Sequence, residues 1–364
     1  MIIKKIAVGL LTGASIAAAL LMIATAYSDR INPANHPVLA CMGMLFPLTI
    51  LLNVLMLILL VIFCWRRMWI PVSAFIICIV PIQTFVPLRL TMEEPPQGSI
   101  KFLSYNVCLY SDSIKKCKNA ADSIIDYVAK QHADIVCTQE DYSTKPFIQE
   151  HWSQVFPYND TAYVSMSTQK FANAVGIHSR YPIIGKERIA YPSRSNGSVA
   201  WRLKIGNDTV IVINNHLEST HLSKDDRRNY KDMFHGDMSQ EDMENETRHL
   251  LGKLAESMQK RAFQADAVHR YIEAHAGQPI IVCGDFNDTP ISYARHTIAE
   301  GLTDCFPKAG RGLGLSYNQK GFNFRIDYIM CSSHFEPYAC EIDNKTDVSD
   351  HYPITCWLKK VDKP

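Results

Sequence analysis

No Cys-x-x-Cys pair occurs in the 364 residues, although 11 of them are cysteine. That absence removes the spacing of a zinc ribbon and of a thioredoxin-like redox site. Cys137, Cys283, Cys331 and Cys356 fall inside apolar, strand-like runs and read as small buried hydrophobes. Cys108 with Cys117, and Cys331 with Cys340, are open to pairing in an oxidising compartment. An excess of charge is missing too: 37 Lys and Arg stand against 36 Asp and Glu, a formal charge of +1. Nothing therefore indicates a generally basic nucleic-acid-binding surface, while a local patch stays open. Internal repeats and low-complexity tracts are absent as well.

Charge is lacking altogether from three long stretches: Ile6 to Tyr27, Val38 to Cys64 and Met68 to Leu88. About 20 apolar residues suffice for a helix to cross a hydrocarbon core roughly 30 Å thick. Three spans are expected, the third kinked by Pro71, Pro81 and Pro87. Buried core helices would not leave three successive runs uncharged. Lys4 and Lys5 precede the first run, and Arg66 with Arg67 separate the second from the third. Basic residues favour the cytoplasmic side, which sends everything after Arg89 to the periplasmic or extracellular side. Ala24-Thr25-Ala26 also resembles a signal-peptide cleavage site, and removal there would leave two spans and the same orientation. The expected organisation is a multi-pass membrane segment at 1–92, a polar linker EEPPQGS at 93–99 and a catalytic domain at 100–364.

Beyond the linker the pattern is that of an α/β protein. Lys101 to Val107 reads as a strand, Ser113 to Lys130 as a partly amphipathic helix, and Ala133 to Gln139 as a second strand. Val210 to Asn214 and Pro279 to Cys283 are expected as buried strands, with Arg325 to Cys331 and Ile354 to Leu358 as the last two. Leu250, Leu254, Met258, Ala262, Ala265, Val268 and Ile272 recur at helical spacing. The polar interval from Ser223 to Glu246 reads either as solvated loop and short helices or as a lid beside a site.

Polar residues cluster where these strands end: Asn106, Glu140, His216, Asp285 and Asn287, with Asp350 and His351 just before the final strand. Strand ends on one edge of a sheet converge, so distant positions build one pocket. Oxygen donors of this kind suit Mg²⁺ or Mn²⁺ better than zinc. Arg180 reads as a strand-end residue, with a phosphate contact left open. Trp201 and Arg202 read as sheet residues, and Gly312, Gly314 and Tyr317 as a flexible turn.

Seven segments in order carry a family likeness: Ser104–Asn106, Gln139–Glu140, His178–Ile183, Asn214–Ser219, Gly284–Asn287, Arg325–Ile329 and Ser349–Ile354. Together they resemble the endonuclease/exonuclease/phosphatase superfamily, which includes DNase I, apurinic endonucleases, neutral sphingomyelinases and inositol polyphosphate 5-phosphatases. The likeness runs from Ile100 to Leu358. Asn215 departs from it, since many members carry a small residue such as Thr before the His. The resemblance implies a DNase I-like four-layer α/β sandwich with two central β-sheets. It implies that Glu140 is the principal metal carboxylate, assisted by Asn106 and Asp350. By the same likeness Asp285 orients or deprotonates the attacking water, positioned with Asn287, and His216 and His351 contact phosphoryl oxygens. Asp327 then holds His351 in its tautomer, and Asn214 neighbours the phosphate.

A metal-dependent hydrolase of phosphodiester or phosphomonoester bonds follows as the expectation, with nucleic acid, a lipid headgroup or a small phosphoester as substrate. No protein partner is indicated. A non-catalytic membrane-bound binding domain would be expected to lack Glu140, Asp285, His216 or His351, and all four are present.

Overall fold

The computed structural model describes residues 2–112, 119–142, 145–164, 173–220, 222–235, 238–319 and 322–361. The uncharged N-terminal runs fold as helices: α1 (Ile2–Ala26), α2 (Pro37–Ala40), α3 (Phe46–Cys64), α4 (Trp69–Ile77) and α5 (Ile79–Phe85). Two helical stretches, Lys5–Arg30 and Pro37–Arg67, are long and apolar enough to cross a bilayer. Only 22% of the most apolar window of each is buried. Leu10, Leu20, Leu48, Leu51 and Ile62 turn outward, unlike the side chains of a core helix in a soluble protein.

The third expected span is not one continuous helix. It divides into α4 and α5 at Cys78. Pro81 has no N–H for the carbonyl of Ile77, one turn earlier. The Tyr27 hydroxyl donates to that carbonyl at 2.6 Å instead, tying the break to the end of α1.

Fourteen strands follow among the described residues. The first sheet holds β1 (Ile100–Asn106), β2 (Ile135–Gln139), β3 (Tyr158–Tyr163) and β4 (Ala174–Ser179). The second holds β5 (Ile183–Ile189), β6 (Gly197–Ile205), β7 (Asp208–His216), β8 (Ile280–Asp285) and β9 (Thr303–Asp304). A hairpin of β10 (Tyr317–Gln319) and β11 (Phe322–Phe324) comes next. β12 (Asp327–Cys331) then returns to the second sheet, and β13 (Phe335–Ile342) and β14 (Ile354–Lys360) to the first. The spatial orders are β13-β14-β1-β2-β4-β3 and β5-β6-β7-β8-β12-β9. Each sheet is mixed: β1 and β2 run parallel in one, β7 and β8 in the other.

Alternation along the strands explains the layers. Phe102, Ile135, Cys137, Val210, Val212, Ile281 and Cys283 point into the core shared by the two sheets. Their neighbours Leu103 and Val136 point outward under α6 (Ala120–Gln131) and α7 (Pro146–Val155). On the opposite flank Ile211, Ile213 and Val282 pack against Ala265, Val268 and Ile272. Those three lie on a 35-residue helix, which is α9 if the preceding Lys224–His235 is numbered α8. It spans Gln240–Ala274, and its first turn is capped by Ser239, whose side chain accepts from the Asp242 N–H. α10 (Tyr293–Ala299) lies beside it, and α11 (Cys305–Ala309) closes one end of the inter-sheet core. The resulting order of helix, sheet, sheet, helix is the expected DNase I-like sandwich. Each fully buried Ile or Leu in these faces contributes about 1.5–3 kcal/mol.

Several local expectations shift. The helix expected from Ser113 begins, among the described residues, at Ala120, and 113–118 lie outside them. Cys117 is therefore not described, while Cys331 and Cys340 are both free thiols rather than a pair. Instead the Cys331 Sγ lies 3.9 Å from the Cys305 Sγ in the inter-sheet core. Trp201 is a sheet residue as expected, fully buried with its indole N–H donating to Asp160 Oδ2 at 2.8 Å. Arg180 follows β4 at the end where β2 begins; its Nε donates to the Ala133 carbonyl, far along the strand from the polar strand ends.

Gly284 has φ +126, and a Cβ there would stand 1.9 Å from the Asn215 carbonyl oxygen. Only glycine lets β8 approach β7 this closely. Gly284→Ala is expected to lower the unfolding free energy by at least about 1 kcal/mol, read as a fall in the urea midpoint. An unchanged midpoint would contradict the close approach.

Candidate active site

β1 and β2 in one sheet and β7 and β8 in the other end at a common rim. Asn106 pairs in register with Gln139, and His216 pairs with Asp285, which in turn pairs with Asp327. Across the sheets, the Asn106 Nδ2 donates to Asp285 Oδ2 at 3.0 Å and reaches Glu140 Oε1 at 3.5 Å. One neutral amide thus stands between two carboxylates. Glu140 and Asn287 hold φ of 49° and 52°, the left-handed region that non-glycine residues rarely occupy. Such backbone is retained where the surroundings over-determine it, a condition met most often at functional sites.

The rim opens into a cleft of about 310 Å³. Glu140, His216, Asp285, Asn287, Asp350 and His351 line it. Burial, then the neighbouring Asp350 charge, pushes the Glu140 carboxyl up to about 7. Burial also raises Asp285, against the pull of His351. Burial alone would neutralise His351, but Asp327 and Asp285 outweigh it and hold the imidazole well above its ordinary value.

Both imidazoles have fixed orientations. Asn173 Nδ2 donates to His216 Nδ1 at 2.9 Å, which leaves the proton on Nε2. That nitrogen lies 3.8 Å from Asp285 Oδ2 and 3.9 Å from Glu140 Oε1. His351 Nδ1 donates to Asp327 Oδ2 at 2.8 Å, and its Nε2 stands 3.5 Å from Asp285 Oδ2. Asp327 lies behind His351 and does not line the cleft. Asn287 closes a turn on Asp285: its N–H donates to Asp285 Oδ1 at 2.8 Å, and its Nδ2 to the Leu217 carbonyl at 3.0 Å. Asp350 is held through Gln319 Nε2 at 3.3 Å.

Asn214 is the exception, and the expectation of a phosphate neighbour is corrected. It is fully buried beneath the rim. Its Oδ1 accepts from Gln139 Nε2 at 2.6 Å, and its Nδ2 donates to the carbonyls of Thr138 and Gly176 at 2.9 and 3.0 Å. With its oxygen and both amide hydrogens bonded to the opposite sheet, it ties the two sheets together.

Several contributors were not legible as site residues. Gln139 is the partner of Asn214, and Asn173 sets the His216 tautomer; single amides in polar surroundings give no such signal in sequence. Tyr317, expected in a flexible turn, begins β10, bridges the His351 backbone and sets its ring 5.1 Å from the imidazole. The interval after His216 supplies α8, whose Asp226, Arg227 and Tyr230 line the cleft; the substrate-side reading of that stretch suits this better than solvated loop. Arg261 of α9 is buried with its Nε 2.9 Å from Asp288 Oδ2, at the cleft wall.

Comparison with known proteins agrees with this architecture. The model of the Endonuclease/Exonuclease/phosphatase family matches residues 103–351, and one described only as a domain of unknown function matches residues 8–85. No curated protein matches the chain. Among solved structures, an endonuclease/exonuclease/phosphatase from Bacteroides vulgatus is 16% identical, with TM-score 0.53, covering 73% of this chain and 100% of that one. The human Nocturnin catalytic domain with bound sulfate anion is 13% identical, with TM-score 0.51, covering 74% and 97%. D. rerio TDP2 complexed with single strand DNA product is 15% identical, with TM-score 0.51, covering 72% and 100%. At these identities the likeness establishes the fold. The family match extends over most of the chain and contains every residue gathered at the rim, and the chain belongs to the Endonuclease/Exonuclease/phosphatase family.

Proposed function

We propose that the chain is a membrane-anchored, divalent-cation-dependent hydrolase of phosphate esters that works by attack of water on phosphorus. The observation that carries the reading is the meeting of Glu140, Asp285 and Asp350 with two oriented imidazoles in one cleft. Among the described residues no Lys or Arg is ion-paired with those three carboxylates. Crowded oxygen donors with no Lys or Arg partner and a raised Glu140 suit a hard cation. Glu140, Asn106 and Asp350 would hold it, as Mg²⁺ or Mn²⁺, and its charge would offset that of the phosphoryl oxygens.

The chain's own groups supply the rest. Asp285, whose Oδ1 accepts from the Asn287 N–H and is fixed by it, takes a proton from the attacking water. His216 presents Nε2–H to a phosphoryl oxygen. His351, kept cationic by Asp327, stabilises the charge that builds on the phosphate and its departing oxygen. Arg227 lines the same cleft and is placed to meet the phosphate's remaining charge.

The substrate reading tilts away from nucleic acid. Arg227 and Arg261 are the only Lys or Arg residues lining the cleft among the described residues, and Arg261 is committed to Asp288. A nucleic acid followed over several phosphates calls for more cations than this. A lipid or small phosphoester does not.

The orientation proposed is extracytoplasmic. The anchor meets the catalytic domain through the segment between α1 and α3, where Asn32 bonds Tyr293 and Asp29 pairs with His296. Arg66 and Arg67 lie at the far end of α3, with exposed Trp65 and Trp69 beside them. A reporter fused after Pro364 is expected to be active only outside the cytoplasm, and cytoplasmic activity would overturn the orientation.

Two further outcomes test the chemistry. With Mg²⁺ or Mn²⁺, Asp285→Ala and His351→Ala are each expected to slow hydrolysis of bis-p-nitrophenyl phosphate by the full chain at least about hundredfold. Unchanged rates would remove the mechanism. Glu140 is an acid raised by the fold, so the metal-free protein loses stability as pH climbs from its ordinary value through about 7. The raised His351 loses its stabilising share in the same direction, at higher pH. Cation binding needs the ionised carboxylate, so added Mn²⁺ is expected to raise Tm more at pH 8 than at pH 5.5. An equal rise at both would contradict a cation at Glu140.

A further inference from the structure

The N-terminal helices are more than a tether, because they form part of the cleft. Met44, in the turn Cys41–Leu45 that leads into α3, lines the same cavity as Glu140 and His351. Ala40 and Cys41 pack on Ala255 and Met258 of α9, with Met44, Leu251 and Leu254 around them. The Cys41 thiol reaches the Met258 sulfur at 3.5 Å. On the other side, Ile291 sits six positions beyond Asp285 and is buried in the helical bundle with Met22, Phe46 and Ala74. A Cβ at Gly43 would meet the Ile291 carbonyl oxygen at 2.0 Å, so the two parts touch backbone to backbone. The loop that carries Asp285 and Asn287 is thereby fastened to the anchor.

The cleft has two unlike walls as a result. One carries the carboxylates and imidazoles. Met44, Leu254 and Met258, packed in one cluster, belong to the other, and Leu222, Tyr230 and Leu250 also line the cleft. The apolar surface continues past the cleft: Val38, Leu39 and Leu45, in the first part of the candidate span Pro37–Arg67 that also holds Met44, are about half exposed. One candidate span thus contributes both exposed apolar residues and, through Met44, part of the cleft lining.

We propose that this second wall is a subsite for the apolar part of a membrane lipid phosphoester, with Met44 of the anchor and Leu254 of α9 as its specificity-determining residues. The inference rests on the hydrolase reading above and deepens it by naming the substrate class. Packing alone would explain Ala40 and Cys41, which are buried. It does not explain why Met44, Leu250 and Leu254 stay partly exposed and line the same cleft as the carboxylates.

The test uses the full chain in phosphatidylcholine nanodiscs with Mn²⁺ and two probes, ethyl and dodecyl p-nitrophenyl phosphate. In each, water attacks phosphorus and p-nitrophenolate leaves. Every methylene fully removed from water is worth roughly a fourfold gain, so a wall that buries only two yields more than about tenfold in kcat/KM. The wild-type chain is expected to favour the dodecyl ester by at least that factor. Met44→Lys and Leu254→Lys are expected to bring the ratio close to that of a chain without a preference, chiefly through KM, while Leu254→Met preserves it. Partitioning into the disc is common to all variants, so the loss of the ratio isolates the wall. A ratio near one in the wild type, or an undiminished ratio in both lysine variants, would overturn the subsite. Hydrolysis of neither ester by the wild type would remove the hydrolase reading, and the subsite with it.

Discussion

Negative charge crowded at the rim of two packed sheets is the constraint on which the rest of the structure depends. Glu140, Asp285 and Asp350 are brought together from separate strand ends, and Asp327 stands just behind. Burial and mutual repulsion push Glu140 up to about 7 and raise Asp285. A fold tolerates such a cluster only with compensation close by. Some is visible: the Asn106 amide between two carboxylates, His351 on Asp327 and Asp285, and the Asn287 N–H on Asp285. The remainder is what a divalent cation and a phosphate would share.

The sheets hold this arrangement because their inner faces carry no freedom of register. Side chains alternate strictly between the inter-sheet core and the outer helices, so a one-residue slip of β8 would exchange Cys283 with Val282 and turn Asp285 away from the rim. Asn214 and Gln139 add a polar tie between the sheets directly beneath the site. Their amides are fully buried, and replacing either removes the bond that joins the two side chains, a cost of about 0.5–1.5 kcal/mol.

Much of this was legible in the residues, for a physical reason. Strand ends announce themselves as polar residues after apolar runs, and convergence follows from sheet geometry; Asn106, Glu140, His216, Asp285, Asn287, Asp350 and His351 accordingly meet. The role of Asn214 was not legible, because an amide that binds phosphate and one that ties two sheets look alike before its partners are known. The third apolar run carried its prolines in view: a kink was expected from Pro71, Pro81 and Pro87, and the helix divides at Cys78, where Pro81 removes a hydrogen bond, into α4 and α5. Met44 carried no signal at all, since its place in the cleft depends on how two regions more than 90 positions apart dock.

That docking changes how the N-terminal helices are to be understood. Arg325 reaches back to the Thr84 carbonyl near the end of α5, Ile291 enters the helical bundle, and Cys41 rests on Met258. Three separate parts of the catalytic domain are therefore held by the anchor, two of them next to the cleft. The most direct measurement of the central claim is the anomalous scattering map of crystals of the full chain soaked in Mn²⁺. The account predicts a peak in coordinating contact with Glu140, between it and Asp350. A fully occupied Mn²⁺ elsewhere, with Glu140 and Asp350 left bare, would contradict it.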